Sequence, residues 1–386
     1  MAVRLFISRA VVALAAGACV VASAQAADSL AGKIMTVNGP IAPEALGVTL
    51  PHEHLFSDLQ PPLDTADGWR AVGESKPESP EEIAFYAAPL TIERLGAALM
   101  GKPNRDNRRL DDEATAIREV TDYKWFGGRS IVDVTSIGFH RDPAALKRVA
   151  DATGVNVVMG SGWYEHGYVG NALDRRSVAD LADEIVRDIR VGVDGTGIRA
   201  GIIGEVGVRD ASQPYEKKIL AAAARASRLT GAAISVSFAK EHHDQIAALQ
   251  ILKQAGADLT RVAMGHANPI ADNLPLMQQI LQQGAYLEFD LLGDAPHILT
   301  EVPDHDVALA IVELFKRGYG RQILLSQDVR AKTDLKAYGG SGYSFIPEQF
   351  VPYLKQLGVD DEQIAQMLVE NPRRLLTLAA AKSAEG

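Results

Sequence analysis

The sequence predicts an α/β protein: a (β/α)8 barrel with an N-terminal hairpin and a long insertion after the first strand. Three observations lead there. Eight apolar, β-branched runs recur along the 386 residues with helical stretches between them, and after the second run they follow one another at about 25 to 45 residues. The runs are almost continuously apolar, as parallel strands covered on both faces are. Side chains able to ligate a metal gather at the C-terminal ends of the runs, the end at which barrels of this kind do chemistry.

Residues 1–26 stand apart. Arg4 and Arg9 precede an apolar run over 10–22, and Ala24-Gln25-Ala26 forms a small-X-small cleavage site. This is the pattern of a secretory signal peptide removed after Ala26, and the run is short for a bilayer span. The expected location is therefore periplasmic or secreted. Residues 27–380 are expected to form a single barrel domain and 381–386 a disordered tail. Cys19 is the only cysteine and falls in the signal, so the mature chain carries no disulfide.

Lys33 to Ile41 reads as a hairpin with Asn38-Gly39 at its turn, closing the bottom of the barrel. Strands are predicted over 47–50, 130–135, 155–160, 200–206, 233–237, 261–266, 285–291 and 322–328. Apolar residues at helical spacing place helices over 142–152, 179–194, 214–230 and 272–283. Pro143 and Pro214 suit a first helical turn, and Gly154 and Gly231 suit a helix end. The connection 57–129 breaks the spacing. Pro61, Pro62, Pro77 and Pro80 fill its first part, and helices are predicted around 91–100 and 111–126. A connection this long predicts an insertion over the barrel mouth that walls a pocket, with an ordinary surface loop over 58–76 as the competing reading.

Composition excludes several function classes. The chain is 47% hydrophobic and 23% charged, ordinary for a globular protein, with a net charge of −10 that becomes two units more negative once Arg4 and Arg9 leave with the signal. Such an acidic surface has no electrostatic footprint for nucleic acid or anionic lipid. No nucleic-acid partner is expected, and no membrane association after signal removal.

The centre of the chain is Pro51-His52-Glu53-His54. On a strand His52 and His54 share one face while Glu53 points away. The other strand ends add Glu205, His266 and Asp328. Buried unpaired charges cost several kcal/mol, so a divalent ion is the economical partner for these carboxylates. Nitrogen and oxygen ligands without a thiolate suit zinc foremost, or manganese, cobalt or iron.

Val37-Asn38-Gly39-Pro40, Leu50-Pro51-His52-Glu53-His54-Leu55, Gly201-Ile202-Ile203-Gly204-Glu205-Val206-Gly207, Gly265-His266, Leu325-Ser326-Gln327-Asp328-Val329 and Val369-Glu370-Asn371-Pro372-Arg373-Arg374 occur in order from Thr36 to Thr377. Together they resemble the phosphotriesterase family, a metal-dependent branch of the amidohydrolase superfamily. The resemblance implies a distorted (β/α)8 barrel, usually with two divalent ions, that hydrolyses organophosphate triesters, lactones or related esters. It implies that His52, His54 and Asp328 ligate the more buried ion and His266 the more exposed one. Glu205 takes the bridging position, often a carboxylated lysine, and Asp328 takes the proton from the attacking water. Tyr164 falls where related lactonases carry an aromatic residue near the exposed ion, and its hydroxyl is a candidate to polarise a carbonyl or hold the water. Trp163 is a candidate pocket residue. Arg330 and the glycine-bearing loop 336–343 resemble the family's specificity loop.

One position departs from the family pattern. A histidine is expected at the end of the fifth strand, and Ser237 stands there. Serine is a poor ligand beside imidazole, so the exposed ion should bind weakly or not at all, unless His242 or His243 swings in. One or two ions are thus compatible with the sequence. The resulting expectation is a metal-dependent hydrolase in which metal-bound hydroxide attacks a small-molecule lactone, carboxylic ester or organophosphate ester. The alternative is a catalytically weakened barrel with one metal that binds a small molecule. Family members often form dimers, which makes a homodimer an admissible assembly.

Overall fold

Alternation along the strands sorts the apolar side chains into two cores. In the computed structural model, which describes residues 30–238, 244–294 and 302–382, a hairpin of β1 (Ile34–Thr36) and β2 (Gly39–Ile41) opens the fold. There follow β3 (Thr49–Glu53), a small antiparallel pair β4 (Ser57–Asp58) and β5 (Arg109–Leu110), then β6 (Ser130–Asp133), β7 (Asn156–Ser161), β8 (Ile202–Val208), β9 (Ile234–Phe238), β10 (Val262–Met264), β11 (Tyr286–Phe289) and β12 (Ile323–Leu325). β3 and β6 to β12 make one eight-stranded sheet in sequence order, all parallel. Its outer strands meet beyond their formal ends: Asp328 N donates to His52 O at 3.3 Å and His54 N to Val329 O at 3.2 Å. The sheet thereby closes on itself as a (β/α)8 barrel.

Val132, Val158, Ile202, Ala263 and Leu324 belong to the smaller buried cluster inside the barrel. Their strand neighbours Ile131, Val157, Ile203, Val262 and Ile323 belong to the larger one beneath the helices. Each pair differs by one residue, as period-two alternation requires. Helices observed at Pro143–Thr153, Val178–Arg190, Pro214–Thr230 and Leu274–Gln282 lie within a few residues of the predicted ones. The Asp142 side chain caps the first of them by accepting from Ala145 N. Pro214–Thr230 stops at Gly231, whose φ of +75° and whose contact with the Ala379 backbone leave no room for a side chain.

The hairpin differs from expectation by one residue. Thr36 pairs with Gly39, so Val37-Asn38 make the turn and Gly39 begins the second strand. Val37 N donates to Val157 O at 2.9 Å, which fastens the hairpin at the start of β7. The insertion holds helices Ile92–Leu99 and Glu113–Trp125 as predicted, and two more at Ala66–Ala71 and Pro80–Ala87. The latter has a capping box of Ser79 and Glu82, a signal legible in Ser79-Pro80-Glu81-Glu82. The predicted signal peptide, His242, His243 and the last four residues of the predicted tail lie outside the described residues. Among the described residues, no helix is long and apolar enough to cross a membrane.

Candidate metal centre

His52 and His54 reach the barrel interior through an irregularity in β3. The register against β6 shifts between Leu50 and Glu53, and such a bulge re-aims the side chains that follow it. His54 Nε2 then lies 3.1 Å from Asp328 Oδ1 and 3.3 Å from Glu205 Oε1. His52 Nε2 lies 3.6 Å from Glu205 Oε2 and 3.9 Å from Asp328 Oδ1. Those last distances are too long for hydrogen bonds, and His52 Nε2 is buried without a hydrogen-bond partner among the described residues. A buried ring nitrogen facing two carboxylates across such gaps fits a cation held between them.

The rest of the site orients these groups. His52 Nδ1 sits 3.2 Å from both Glu288 Oε2 and Asp290 Oδ2, an arrangement that leaves Nε2 as the ligating atom. His54 Nδ1 is 2.9 Å from Thr135 Oγ1. Asp290 accepts from His266 N at 2.8 and 2.9 Å through its two oxygens, and its Oδ1 is 3.1 Å from His266 Nδ1. His266 and Asp328 both hold φ at +52°, the left-handed region that costs a non-glycine residue about 1–2 kcal/mol. The Asp290 clasp and the Asp328–His52 backbone bond hold them there. Arg330 Nη1 donates to Asp328 Oδ2 at 2.8 Å and to Asp328 O at 3.0 Å, which leaves Oδ1 facing the histidines.

Four buried carboxylates, Glu205, Glu288, Asp290 and Asp328, surround three histidines, and this imbalance sets the electrostatics. Burial favours neutral His52, yet Asp290, with Glu205 and Glu288, raises its pKa well above the ordinary value. His266 is raised in the same way by Asp290, against burial. Burial would also raise Glu205 and Asp328, but His52 and His54 hold the first below the carboxylate range and Arg330 and His54 the second well below it. The protein thus draws positive charge into this spot, as protons or as metal ions. Ligand atoms of His52, His54 and Asp328 converge within 4.8 Å of one another, as do those of His52, His266 and Asp290. These His/Asp clusters suggest a binuclear metal site.

A cavity of about 330 Å³ opens over the site, with His54, Glu205, His266 and Asp328 on its floor. Tyr164 stands in its wall, its ring 3.8 Å from that of Phe139 and 5.3 Å from that of Tyr168. Burial, helped by Glu165 and Glu205, keeps the Tyr164 hydroxyl protonated and able to donate. Arg330 also lines the cavity, whereas Trp163 does not. Trp163 is 2% exposed in the core, with the Arg176 guanidinium 5.6 Å from its ring. The insertion contributes Leu59, Glu74, Asn107 and Arg108 to the wall, so the connection 57–129 does border the pocket.

The sequence reading missed Glu288 and Asp290. The signal was available: both carboxylates fall two residues apart in the apolar run 285–291, and β11 turns Glu288 to the same face as Tyr286, with Asp290 buried just beyond its end. Ser237, the last residue but one of β9, is buried, and neither its hydroxyl nor that of Ser235 finds a partner among the described residues. Ser237→His is expected to raise the affinity for a second ion. Metal content after dialysis against limiting zinc checks it: an unchanged two ions per chain would mean that Ser237 weakens nothing.

Residues 32–376 match the Phosphotriesterase family. The chain belongs to that family. It is similar to an N-acetyltaurine hydrolase of Dictyostelium discoideum, 33% identical over 363 residues that cover 90% of this chain and 98% of the relative. Among solved structures it resembles a resiniferatoxin-binding protein from Rhodobacter sphaeroides, at 39% identity and a TM-score of 0.83, covering 91% of this chain and 97% of that one. It also resembles the phosphotriesterase homology protein of Escherichia coli, complexed with phosphate in its active site, at 30% identity and a TM-score of 0.71, covering 86% and 99%. The chain is a metal-dependent hydrolase of the phosphotriesterase family.

Proposed function

We propose that this phosphotriesterase-family hydrolase cleaves the acyl bond of a small N-acyl amine, with His52, His54, Glu205, His266 and Asp328 as its metal-holding residues. The observation that carries the reading is the set of buried donors around His52 Nε2, joined with the 33% identity to N-acetyltaurine hydrolases, whose substrate is an amide. An amide and an ester present the same carbonyl to the same donors, so the expected lactone and ester substrates become competitors of the amide. A divalent ion in this donor set supplies a more acidic water and a Lewis acid for the carbonyl, zinc being the first choice and manganese, cobalt or iron the others.

The chain's own residues do the rest. Asp328 Oδ1, kept ionised by Arg330 on its other oxygen, takes the proton of the attacking water. The acyl carbon gains the hydroxyl, the C–N bond breaks and the proton passes to the leaving amine. Tyr164 donates its hydroxyl to the carbonyl oxygen as charge gathers there. Phe139 and Tyr168 exclude water around it.

The test is turnover by zinc-, manganese- or cobalt-loaded protein, with N-acetyltaurine, phenyl acetate, δ-valerolactone and paraoxon side by side. The amide is expected to be hydrolysed with the highest kcat/KM. Preference for the lactone or ester overturns the amide reading in favour of ester chemistry. A second reading, a binding protein with one metal, draws on Ser237 and on the resiniferatoxin-binding relative. Metal bound without turnover of any of the four compounds would establish it.

A further inference from the structure

We infer that Arg108 is the specificity-determining residue of this pocket and that it takes an anionic group, a carboxylate or sulfonate, on the amine side of the substrate. The inference rests on the proposed acyl-bond chemistry only for the position of the scissile bond.

Three arginines line the cavity, and their donors are committed to different degrees. Arg330 spends Nη1 on Asp328, with Asp294 3.8 Å from its Nη2. Arg209 gives both Nε and Nη2 to Glu165 Oε2, at 2.9 and 2.6 Å. Arg108 is different. Its Nη2 pairs with Glu74 and its guanidinium lies over the Trp69 ring at 5.6 Å, while Nη1 is buried with no hydrogen-bond partner among the described residues. A guanidinium carries five donors in a planar fork suited to a two-oxygen anion, and a buried donor left unmade is an energetic debit that a ligand can remove.

The setting is built to hold that group still. Arg108 follows Asn107, whose backbone oxygen accepts from Lys332 N at 2.9 Å and whose side-chain oxygen accepts from Thr333 N at 2.9 Å. Arg108 O accepts from Leu59 N at 3.0 Å, beside the β4–β5 pair. The arginine is therefore mounted on the insertion, in the wall of the same cavity that the metal-holding His54, Glu205, His266 and Asp328 line. Glu74 and Glu165 also line the cavity, but each is engaged by its own arginine, so the carboxylates of the wall are paired while Arg108 Nη1 keeps both of its hydrogens unspent among the described residues. A small acyl group at the barrel floor with its amine substituent directed at the insertion brings the anion to Arg108.

The test compares N-acetyl-β-alanine and N-acetyltaurine with the neutral N-butylacetamide, in zinc-loaded wild type and in Arg108→Gln and Arg108→Lys. Wild type is expected to favour both anions over the neutral amide at least tenfold in kcat/KM. Arg108→Gln should raise KM for the two anionic amides at least tenfold and so close their gap to the neutral amide, and Arg108→Lys should restore part of it. The ratio of the two anionic probes tells carboxylate from sulfonate. Equal loss on charged and neutral amides, or a wild type that hydrolyses all three without preference, overturns the inference. Calorimetric binding of N-acetyl-β-alanine to the same proteins separates this from the chemistry. Binding that is lost in Arg108→Gln, in a wild type that hydrolyses nothing, upholds the anion site and sinks the hydrolase reading. Melting temperatures of the two variants close to wild type exclude simple misfolding, and Arg108→Lys retains the charge should Arg108→Gln fail to fold.

Discussion

Replacing Asp328 with asparagine is expected to lower kcat by about 10³-fold or more while leaving the fold intact, because both orientations of the amide are wrong. The carboxylate uses its two oxygens differently: Oδ2 accepts from Arg330 Nη1, and Oδ1 faces His54 and His52. An asparagine that keeps its oxygen toward Arg330 turns an NH₂ toward the histidines, where neither a cation nor a proton can be accepted. One that flips sets NH₂ against the guanidinium, donor against donor. Either way the general base is gone and a metal-holding oxygen is lost or misplaced. Kinetics on the metal-loaded variant, with metal content measured in parallel, check the expectation. Turnover within tenfold of wild type at full metal loading would remove Asp328 from the proton transfer.

The same residue shows what a sequence can and cannot convey. His52, His54, Glu205, His266 and Asp328 stand at strand ends, and period-two alternation with parallel topology is enough to bring them to one rim. What alternation does not carry is irregularity. The shift in β3 between Leu50 and Glu53 and the left-handed backbone of His266 and Asp328 aim the ligand atoms, and neither has a residue signature such as glycine. Glu288 and Asp290 were hidden for another reason: their duty is to orient His52 and His266, and that partnership spans more than twenty residues of sequence in the nearer case. Tyr164 and Trp163 were both candidates for the pocket. Adjacent residues point in opposite directions, so one lines the cavity and the other is buried in the core. The length of the insertion left a pocket wall and, over 58–76, an ordinary surface loop as rival readings, and Leu59 and Glu74 in the cavity wall decide for the first; Arg108 was not legible at all, since what distinguishes it among the cavity's arginines is a donor without a partner among the described residues.

Glu53, the residue between the two histidines, is expected to be the most costly position in the barrel to truncate. It points away from His52 and His54, and it is fully buried where β3 meets the chain after β12. Its Oε1 accepts from Ser326 Oγ at 2.6 Å and Gln327 N at 2.8 Å, and its Oε2 accepts from Val329 N at 2.8 Å. Those three donors belong to the segment that carries Asp328 and whose backbone meets His52 and His54 at the barrel's closing seam. Glu53→Ala strips the acceptors, leaves two buried backbone N–H groups unmade at about 1–3 kcal/mol each and opens a cavity, for a total loss of about 3–5 kcal/mol. At about 2–4 °C per kcal/mol for a large domain, the melting temperature should fall by roughly 10 °C. Glu53→Gln should lose less, because its oxygen keeps two of the donors. The pH dependence gives an independent check. Burial raises the Glu53 carboxyl to about 7, against the bonds from Ser326, Gln327 and Val329, so the folded chain holds a proton there that the unfolded chain has released. Wild-type stability from this group is therefore full below the ordinary glutamate value and declines as pH rises toward about 7. Glutamine does not titrate, so the stability gap between wild type and Glu53→Gln should narrow between pH 5 and pH 8. Denaturant titrations at the two pH values measure it, and a gap that stays constant from pH 5 to pH 8 would show that the three donors hold Glu53 as a carboxylate throughout.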